Sequence, residues 1–332
     1  MAGVASLLPG QSAETTRLDS IVTVVTRTAE RSVGESPVPV DAVTSRMLDN
    51  TGMVELWQQL QRLIPSVNVP HIPIGDNHMR PVTLRGLAPH HVLVLVNGRR
   101  RHAAASLLAG PSVPFASFTD LGSIPWSAIE RIEVLRDGAA AQYGSDAIGG
   151  VVNVVLRRDT EPSLRASAGS AYTSEGGRNF TDGGWVNVGG SSGMAFDHGG
   201  YLTFAAELGD RGGTNRAYAD RRPQYFPGDP RNDLPPRVSS YLGNGSVREF
   251  KGLVSTSMPL GSGVDFHGTL NASMRDALSP DAFFRMPLDG RTVRSIHPDG
   301  FRPEIASNIQ DFSSLLGLRG NSRGWRWDVT AG

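Results

Sequence analysis

The sequence predicts an α+β domain in its first half, followed by antiparallel transmembrane β-barrel strands, about seven in number, in its second half. Three observations lead to this prediction. The first half mixes short helical patterns with compact apolar runs. The second half alternates apolar and polar residues with a period of two, and the links between those runs are in turn long and tight. A chain of 332 residues is long enough for two such parts.

The segment 124–157 carries most of the α+β pattern. Pro125 is placed to begin a short helix, and the alternating apolar and charged residues after it predict a half-buried strand. One or two helical turns are expected from Gly138 to Tyr143, and Val151 to Leu156 is a compact apolar strand. Together these elements predict a small mixed sheet crossed by short helices.

Two more strands are expected upstream, from Val82 to Leu87 and from His91 to Val96. The second of them ends at Asn97-Gly98, a dipeptide that favours a type I′ turn because both residues tolerate positive φ. The chain is therefore expected to reverse at this point.

The second half predicts strands whose two faces differ. In the clearest example, Phe266, Leu270 and their alternating neighbours are apolar, whereas His267, Asn271 and the other intervening residues are polar. In a membrane barrel the apolar set faces lipid and the polar set faces the lumen. The strands are expected within 164–172, 184–188, 201–208, 250–260, 264–274, 312–318 and 325–331.

The links predict which end of the barrel is external. They are expected at 174–182, 190–200, 210–249, 259–263, 276–310 and 319–324, so that the long ones all fall at one end. Outer-membrane barrels have short periplasmic turns and longer external loops. The alternative is a soluble β-sandwich, which would bury Phe204, Phe266 and Leu270 at its centre.

Composition excludes several kinds of site. Lysine and arginine number 32 and aspartate and glutamate also number 32, so no charge excess points to nucleic acid. Cysteine is absent, which excludes disulfides and thiolate metal sites. The single lysine, Lys251, does not lie in a glycine-rich phosphate loop. No apolar stretch reaches the roughly 18 residues of a membrane-spanning helix, and barrel strands do not need one.

Two long segments carry a family resemblance. IPWSAIERIEVLRDGAAAQYGSDAIGGVVNVVLR (124–157) and VTLRGLAPHHVLVLVNGRRRHA (82–103) resemble the plug domain of TonB-dependent outer-membrane receptors. LDSIVTVVTRT (18–28) is similar to the segment by which these receptors contact TonB. Asp137-Gly138 stands where the family often has Gly-Pro, which puts the subfamily in doubt and not the family.

The resemblance implies a division of the chain. We expect residues 1–17 to be an export-signal remnant or flexible leader, 18–28 the TonB-contacting segment, 29–158 the plug domain, and 163–332 the first part of the barrel. Because receptors of this kind have about 22 strands, the sequence is expected to be partial, with an incomplete barrel.

The resemblance also implies the function. Such a receptor lies in the outer membrane of a Gram-negative bacterium and imports a scarce solute, here favoured to be a ferric siderophore. TonB and its inner-membrane complex supply the work, and the other partners are outer-membrane lipid and the small-molecule ligand. No cofactor, resident metal or nucleic acid is expected. The alternatives are uptake of cobalamin, a saccharide or a peptide, a passive porin-like channel, and a soluble hydrolase.

Two groups of site residues follow from the resemblance. The TonB-contacting strand and the ligand-binding plug apex are expected in different places, the second in loops that face the external vestibule. Pairing with acidic barrel residues is the alternative role for the three consecutive arginines of the apex set. For Ile21 to Val25 the TonB contact is favoured, and the alternative is that these residues form the first plug strand. The TonB set is Asp19, Ser20, Ile21, Val22, Thr23, Val24 and Val25, and the ligand set is His71, Asp76, Asn77, His78, Arg80, Arg99, Arg100, Arg101, His102 and Ser106.

Two further sequence features could bind a ligand or catalyse a reaction. The loop from Arg211 to Tyr241 combines arginines with aromatic rings, which could clamp an anionic or aromatic ligand or bind lipopolysaccharide phosphates. Residues 189–193 match the G-x-S-x-G pattern of a hydrolase, with Asp197 and His198 nearby. A nucleophile elbow needs a helix after Ser191, and the sequence predicts a glycine-rich turn there instead.

Overall fold

The computed structural model describes residues 21–22, 31–32, 38–53, 55–69, 80–107, 116–175 and 177–332. These residues form an N-terminal domain, built on a five-stranded sheet, and a separate seven-stranded sheet. None of the described helices is both long enough and apolar enough to cross a membrane.

The first described elements are two very short strands, β1 (Ile21–Val22) and β2 (Arg31–Ser32), which pair antiparallel. Single 3-10 turns lie at Pro89–His91, Leu121–Ser123, Trp126–Ala128 and Ser145–Ala147. The other elements of the N-terminal domain are β3 (Val40–Thr44), α1 (Ser45–Asp49), α2 (Leu56–Leu63), β4 (Val67–Asn68), β5 (Thr83–Leu84), β6 (Val92–Val96), β7 (Arg99–Arg100), β8 (Ile129–Leu135), α3 (Ala140–Tyr143) and β9 (Gly150–Leu156).

The five-stranded sheet has the order β3-β8-β9-β6-β7. β6 and β9 run parallel, and the other neighbours are antiparallel. Every residue of β6 and of β9 is buried, because central strands that are covered on both faces need apolar residues along their whole length. The predicted α+β domain with a mixed sheet is confirmed.

The expected reversal after β6 is present. Asn97 and Gly98 have φ angles of 48° and 76°, as a type I′ turn requires. Asn153 Oδ1 accepts a hydrogen bond from the Gly98 amide at 2.9 Å, and Asn97 Oδ1 accepts one from the Leu156 amide, also at 2.9 Å. These two bonds fix the turn to β9.

Two local predictions need correction. The helix expected at Pro125 is only a 3-10 turn, Trp126–Ala128, and β8 follows it at once. The strand expected from Val82 to Leu87 is reduced to Thr83–Leu84, because Arg85 and Gly86 adopt φ angles of 55° and 75° that end it.

The core of the N-terminal domain lies between α2 and the sheets. Leu60 of α2 and Ile64, the residue that caps its C-terminus, pack with Leu84 and with the β8 residues Ile129 and Ile132, and all five are almost fully buried. The same cluster includes Ala205 and Leu253, which belong to the seven-stranded sheet. One face of that sheet is therefore continuous with the domain core.

The seven-stranded sheet contains the strands that follow the N-terminal domain. Each pairs antiparallel with the next one in the sequence. The number and sequential antiparallel order agree with the predicted barrel strands. The strands are β10 (Ser163–Glu175), β11 (Arg178–Phe196), β12 (Gly200–Arg211), β13 (Ser246–Gly261), β14 (Val264–Pro280), β15 (Glu304–Ser322) and β16 (Trp325–Ala331).

Both long links, 212–245 and 281–303, fall at one end of this sheet, and 197–199, 262–263 and 323–324 fall at the other. The link expected at 174–182 is much shorter than predicted, because β10 continues to Glu175 and β11 begins at Arg178. The turn predicted at 190–200 is wrong, because β11 continues to Phe196 and the reversal occurs at 197–199. His198 and Gly199 have φ angles of 64° and 89°, which mark the true turn.

The two faces of the sheet differ as predicted. On β14, Leu270 is 41% exposed while its neighbour Asn271 is 2% exposed. On β12, Phe204 is 45% exposed while Glu207 is 3% exposed. A soluble sandwich would bury the apolar set, so its exposure favours a sheet that meets lipid on that face.

Candidate functional site

Eight charged side chains meet where the N-terminal domain contacts the inner face of the seven-stranded sheet. Four are acids and four are bases, and every one is largely withdrawn from solvent. We call this set the seam network. Its members are Glu55, Asp120, Glu207, Glu249, Arg80, Arg211, Lys251 and Arg275.

Lys251 lies at the centre of the seam network. Its Nζ is 2.9 Å from Glu207 Oε1 and 2.9 Å from Glu249 Oε1, and the lysine side chain is 7% exposed. The second oxygen of Glu249 accepts from Arg80 Nη1 at 3.0 Å and from Arg275 Nε at 3.2 Å. Buried charges of this kind persist only when each is paired and hydrogen-bonded.

The N-terminal domain supplies three members of the network. Arg80 Nη2 lies 2.8 Å from Glu55 Oε2, while Arg211 of the sheet pairs with Glu55 Oε1 at 2.7 Å. Asp120 pairs with Arg275 at 2.5 Å. The network therefore ties three separate segments of the domain to three strands, and a cavity of about 260 Å³ adjoins it.

A second contact brings the Trp126 turn against β11 and β12. The Trp126 amide donates to Glu207 Oε2 at 3.0 Å, and its indole Nε1 donates to Asn187 Oδ1 at 3.4 Å. Gly189 leaves room for the ring, since a Cβ there would lie 3.3 Å from Trp126 and 3.0 Å from the Ala206 carbonyl oxygen. The close approach of the domain thus explains the glycine at position 189 of β11.

We expect Gly189→Val to destabilise the docked domain by about 1 to 3 kcal/mol, since the new side chain overpacks against backbone and ring. The midpoint of urea unfolding, followed by tryptophan fluorescence in detergent, measures the effect. Gly184→Val is the matched control, because a Cβ at Gly184 of the same strand meets nothing within 4 Å. Equal midpoints for the two variants would show that this close approach does not limit the side chain at position 189 and does not affect the stability of the docked domain.

The G-x-S-x-G match has no catalytic setting in the structure. Ser191 lies within β11, not at a strand-to-helix turn. Its Oγ is 2.7 Å from Ser163 Oγ and accepts from Arg157 Nη1 at 3.4 Å. Asp197 and His198 lie in the turn that follows the strand. These neighbours do not form a nucleophile and base.

A third group of contacts surrounds β7. Arg99 pairs with Asp328, which also lies 3.2 Å from His267 Nε2. Arg101 pairs with Asp311 and donates to Asn271 Oδ1 at 2.9 Å. Burial lowers the pKa of Arg101, and the nearby Asp311 carboxylate opposes that shift.

Two more contacts lie near β7. His102 Nε2 is 2.7 Å from Asp311 Oδ2, so the Asp311 carboxylate contacts both Arg101 and His102. Arg100 instead pairs with Asp146 within the N-terminal domain. In the described part of the chain, no cluster of three or more histidine, aspartate or glutamate side chains is arranged to hold a metal.

Comparison with known proteins identifies the N-terminal domain. A family model described as the TonB-dependent Receptor Plug Domain matches residues 32–151. Residues 32–151 are therefore a plug domain of the TonB-dependent receptor type. This confirms the resemblance found in the sequence, and residues 163–331 contain the sheet that packs against the plug domain.

One relative is the ferric enterobactin receptor PirA of Pseudomonas aeruginosa. It is 35% identical to this chain over 178 residues, which cover 49% of the chain and 24% of the relative. The chain thus spans about a quarter of the length of that curated relative.

Solved structures share the fold. A mutant of the ferric enterobactin receptor PfeA from Pseudomonas aeruginosa has a TM-score of 0.61 and 17% identity, over 92% of this chain and 40% of that one. The siderophore receptor PirA from Acinetobacter baumannii has a TM-score of 0.56 and 20% identity, over 88% and 39%. The ferric citrate transporter FecA has a TM-score of 0.56 and 17% identity, over 90% and 40%.

The structure separates the ligand residues that the sequence grouped at the plug apex. Arg80 is 5% exposed and belongs to the seam network. Arg99 does not share its surface: its partner Asp328 lies close to the tight 323–324 link, at the end of the sheet opposite the long links. The chain reverses direction at Asn97-Gly98, so Arg99 lies next to this turn and Arg101, which contacts Asn271, lies farther along the chain. The position of the turn explains why Arg99 and Arg80 contact different surfaces.

The remaining predicted site residues are exposed, belong to β1 or lie outside the described residues. Ser106 is exposed. Ile21 and Val22 of the TonB set form β1, which pairs with β2 and not with the plug sheet. The rest lie outside the described residues: Asp19, Ser20, Thr23, Val24, Val25, His71, Asp76, Asn77 and His78.

The seam network is not among the sites expected from the sequence, although the sequence contains a signal for it. Glu207 and Lys251 fall on the polar parity of their strands, and Arg275 continues the polar parity of β14 beyond its predicted end. Charged residues that face a barrel interior filled by a plug need partners from the plug. That rule would have directed attention to Glu55, Arg80 and Asp120.

Proposed function

We propose that this chain is the plug and adjoining barrel strands of an outer-membrane receptor of a Gram-negative bacterium, which imports ferric siderophores with work delivered by TonB. The observation that carries the proposal is the plug-domain match, together with relatives described as ferric enterobactin and siderophore receptors. The fold supports the same conclusion, because the exposed face of the sheet is apolar and the opposite face is covered by the plug.

The arrangement suggests how import would proceed. The plug occupies the inner face of the sheet and is held there largely by ion pairs and hydrogen bonds. An energised partner that pulls on the N-terminal segment would have to break those contacts to open a path. The short β1 strand offers main-chain groups for strand pairing with such a partner.

Uptake of radioactive iron tests this function. We expect iron-starved cells that carry the receptor, but no other siderophore receptor, to accumulate ⁵⁵Fe supplied as a siderophore chelate, and to lose this uptake when TonB is deleted or a protonophore is added. Uptake that persists without TonB would instead support a passive channel. Uptake of cobalamin, a saccharide or a peptide in place of iron would retain the architecture and reject the proposed cargo.

A further inference from the structure

A small cavity lies between the plug and the inner face of the sheet, close to the end that carries the tight links. Its volume is about 110 Å³, and its charged wall residues are three arginines, one histidine and one aspartate. Serine, threonine and tyrosine hydroxyls make up much of the remaining wall. We call this space the donor-lined cavity, and its charged residues are Arg99, Arg158, His267, Arg319 and Asp328.

Strand register shows that the sheet residues of this wall face the plug. Arg319 of β15 lies directly opposite Asp328 of β16 and Asp265 of β14. Directly opposed residues of antiparallel strands share a face of the sheet. Because Asp328 pairs with Arg99 of the plug, Arg319 lies on the plug side as well.

The two carboxylates at this place already have partners. Asp328 pairs with Arg99, and its Oδ1 lies 3.2 Å from His267 Nε2 and accepts from Thr330 Oγ1 at 2.9 Å. Asp265 Oδ2 lies 3.3 Å from Arg319 Nε. The negative charges of both aspartates are therefore offset by groups in or beside the cavity.

Arg158 supplies the positive charge that these carboxylates leave over. It lies in the segment 157–162 between β9 and β10, and it is exposed. Within the described ranges of the chain, Arg158 has no hydrogen-bond or ion-pair partner. Three guanidinium groups thus face two carboxylates, so an anion placed among them would be attracted.

We propose that the donor-lined cavity binds a small free oxyanion of the phosphate or sulfate class, which bridges the plug to the sheet. Guanidinium groups present paired N–H donors that match the oxygens of such an ion. Arg99 and Arg158 contact the ion from the plug side, and Arg319 contacts it from the sheet. Ser257 Oγ accepts from Arg319 Nη2 at 3.2 Å, so its hydroxyl hydrogen is available to the ion.

The size of the cavity selects a free ion. A volume of about 110 Å³ holds a few water molecules or one small ion, and it is too small for a peptide segment of another protein. The inference goes beyond the proposed function, because it does not depend on which solute is imported.

Isothermal titration calorimetry of the detergent-solubilised receptor tests the site, with phosphate, sulfate and acetate as probes at an ionic strength fixed with chloride. We expect phosphate and sulfate to bind, and acetate to bind at least about tenfold more weakly, because it offers fewer oxygens to the guanidinium groups. Arg158→Gln should raise the Kd of phosphate about tenfold. Arg158→Lys should cause a smaller loss, because it keeps the charge and removes only the paired donors.

Arg46→Gln is the matched control. Arg46 lies on α1 of the plug, is exposed, and likewise has no partner in the part of the chain that the structure describes, but it does not line the cavity. We expect its phosphate Kd to stay within roughly twofold of wild type. An unchanged near-ultraviolet circular dichroism spectrum checks that each variant retains its fold.

A second measurement tests the bridge. An ion that binds only the docked plug stabilises that state, so phosphate should raise the urea concentration at which the plug becomes sensitive to protease. Arg158→Gln should lose most of this shift, and Arg46→Gln should keep it.

Each contrary outcome overturns a stated part of the proposal. Wild type that binds no phosphate, or Arg158→Gln and Arg46→Gln that lose affinity equally, would rule out the site. Phosphate that binds without moving the urea midpoint would rule out the bridge, and acetate that binds as tightly as phosphate would rule out the assigned class of ion. Iron uptake is measured separately, so none of these results decides the proposed function.

Discussion

Deletion of residues 18–26 will reduce ⁵⁵Fe uptake to about the level of cells that lack TonB, while the Kd for the chelate stays within roughly twofold of wild type. The physical reason is that, under the proposed function, the segment acts after binding, as the attachment point through which work reaches the plug. Its run of β-branched residues favours an extended strand that pairs edge to edge through main-chain hydrogen bonds. The proposed ligand contacts lie elsewhere in the chain and are not removed by the deletion.

A pair of point variants separates main-chain pairing from side-chain contact. Val22→Pro removes a backbone donor from β1, whereas Val22→Ala keeps it. We expect the proline variant to lose most of the uptake and the alanine variant to keep most of it. Normal uptake after the deletion would show that work enters the receptor by another route, and weakened binding would show that the segment also shapes the ligand site.

Replacement of Lys251 by methionine should reduce the free energy that stabilises the docked plug on the barrel strands by about 3 to 5 kcal/mol. Methionine preserves most of the side-chain volume but leaves Glu207 and Glu249 without the cation between them. Glu249 would keep Arg80 and Arg275, but buried Glu207 would keep only the neutral donors Trp126 and Asn187, and a buried charge that loses its ion partner costs more than the ion pair had contributed. The urea concentration at which the plug becomes sensitive to protease measures the change.

Two further variants make this test specific. Arg248→Met removes a cation from the same strand, but its side chain is 78% exposed on the outer face, so we expect little effect. In the double variant Lys251→Met with Glu207→Gln, the amide oxygen can still accept from Trp126 while one negative charge is removed. Partial recovery is expected. A plug as resistant in Lys251→Met as in wild type would mean that the seam network does not hold it.

The alternation of side chains was predictable because it is a local property. Leu270 and Asn271 had to face opposite sides once β14 was recognised as a strand, whatever they contact. The Asn97-Gly98 turn was likewise encoded by its own two residues, whose positive φ angles the structure shows. Both predictions needed no knowledge of distant parts of the chain.

Strand ends and charge partners were not predictable in the same way. β14 runs to Pro280 and β15 begins at Glu304, both well beyond the predicted limits. A strand that leaves the hydrocarbon layer no longer needs an apolar face, so its sequence signal fades before its pairing ends. Pairs such as Arg275 with Asp120 join residues far apart in sequence, and only the docked plug brings them together.

The chemistry of the inner wall has a consequence for transport. Where the plug meets β12 to β14, the wall presents hydroxyl, amide and charged groups, among them Thr203, Ser255 and Asn271. Such a surface is readily wetted, so water can replace the plug's polar groups one by one as they withdraw. A displaced plug would leave a hydrated surface behind it, and a water-soluble cargo could pass along that surface without crossing an apolar barrier.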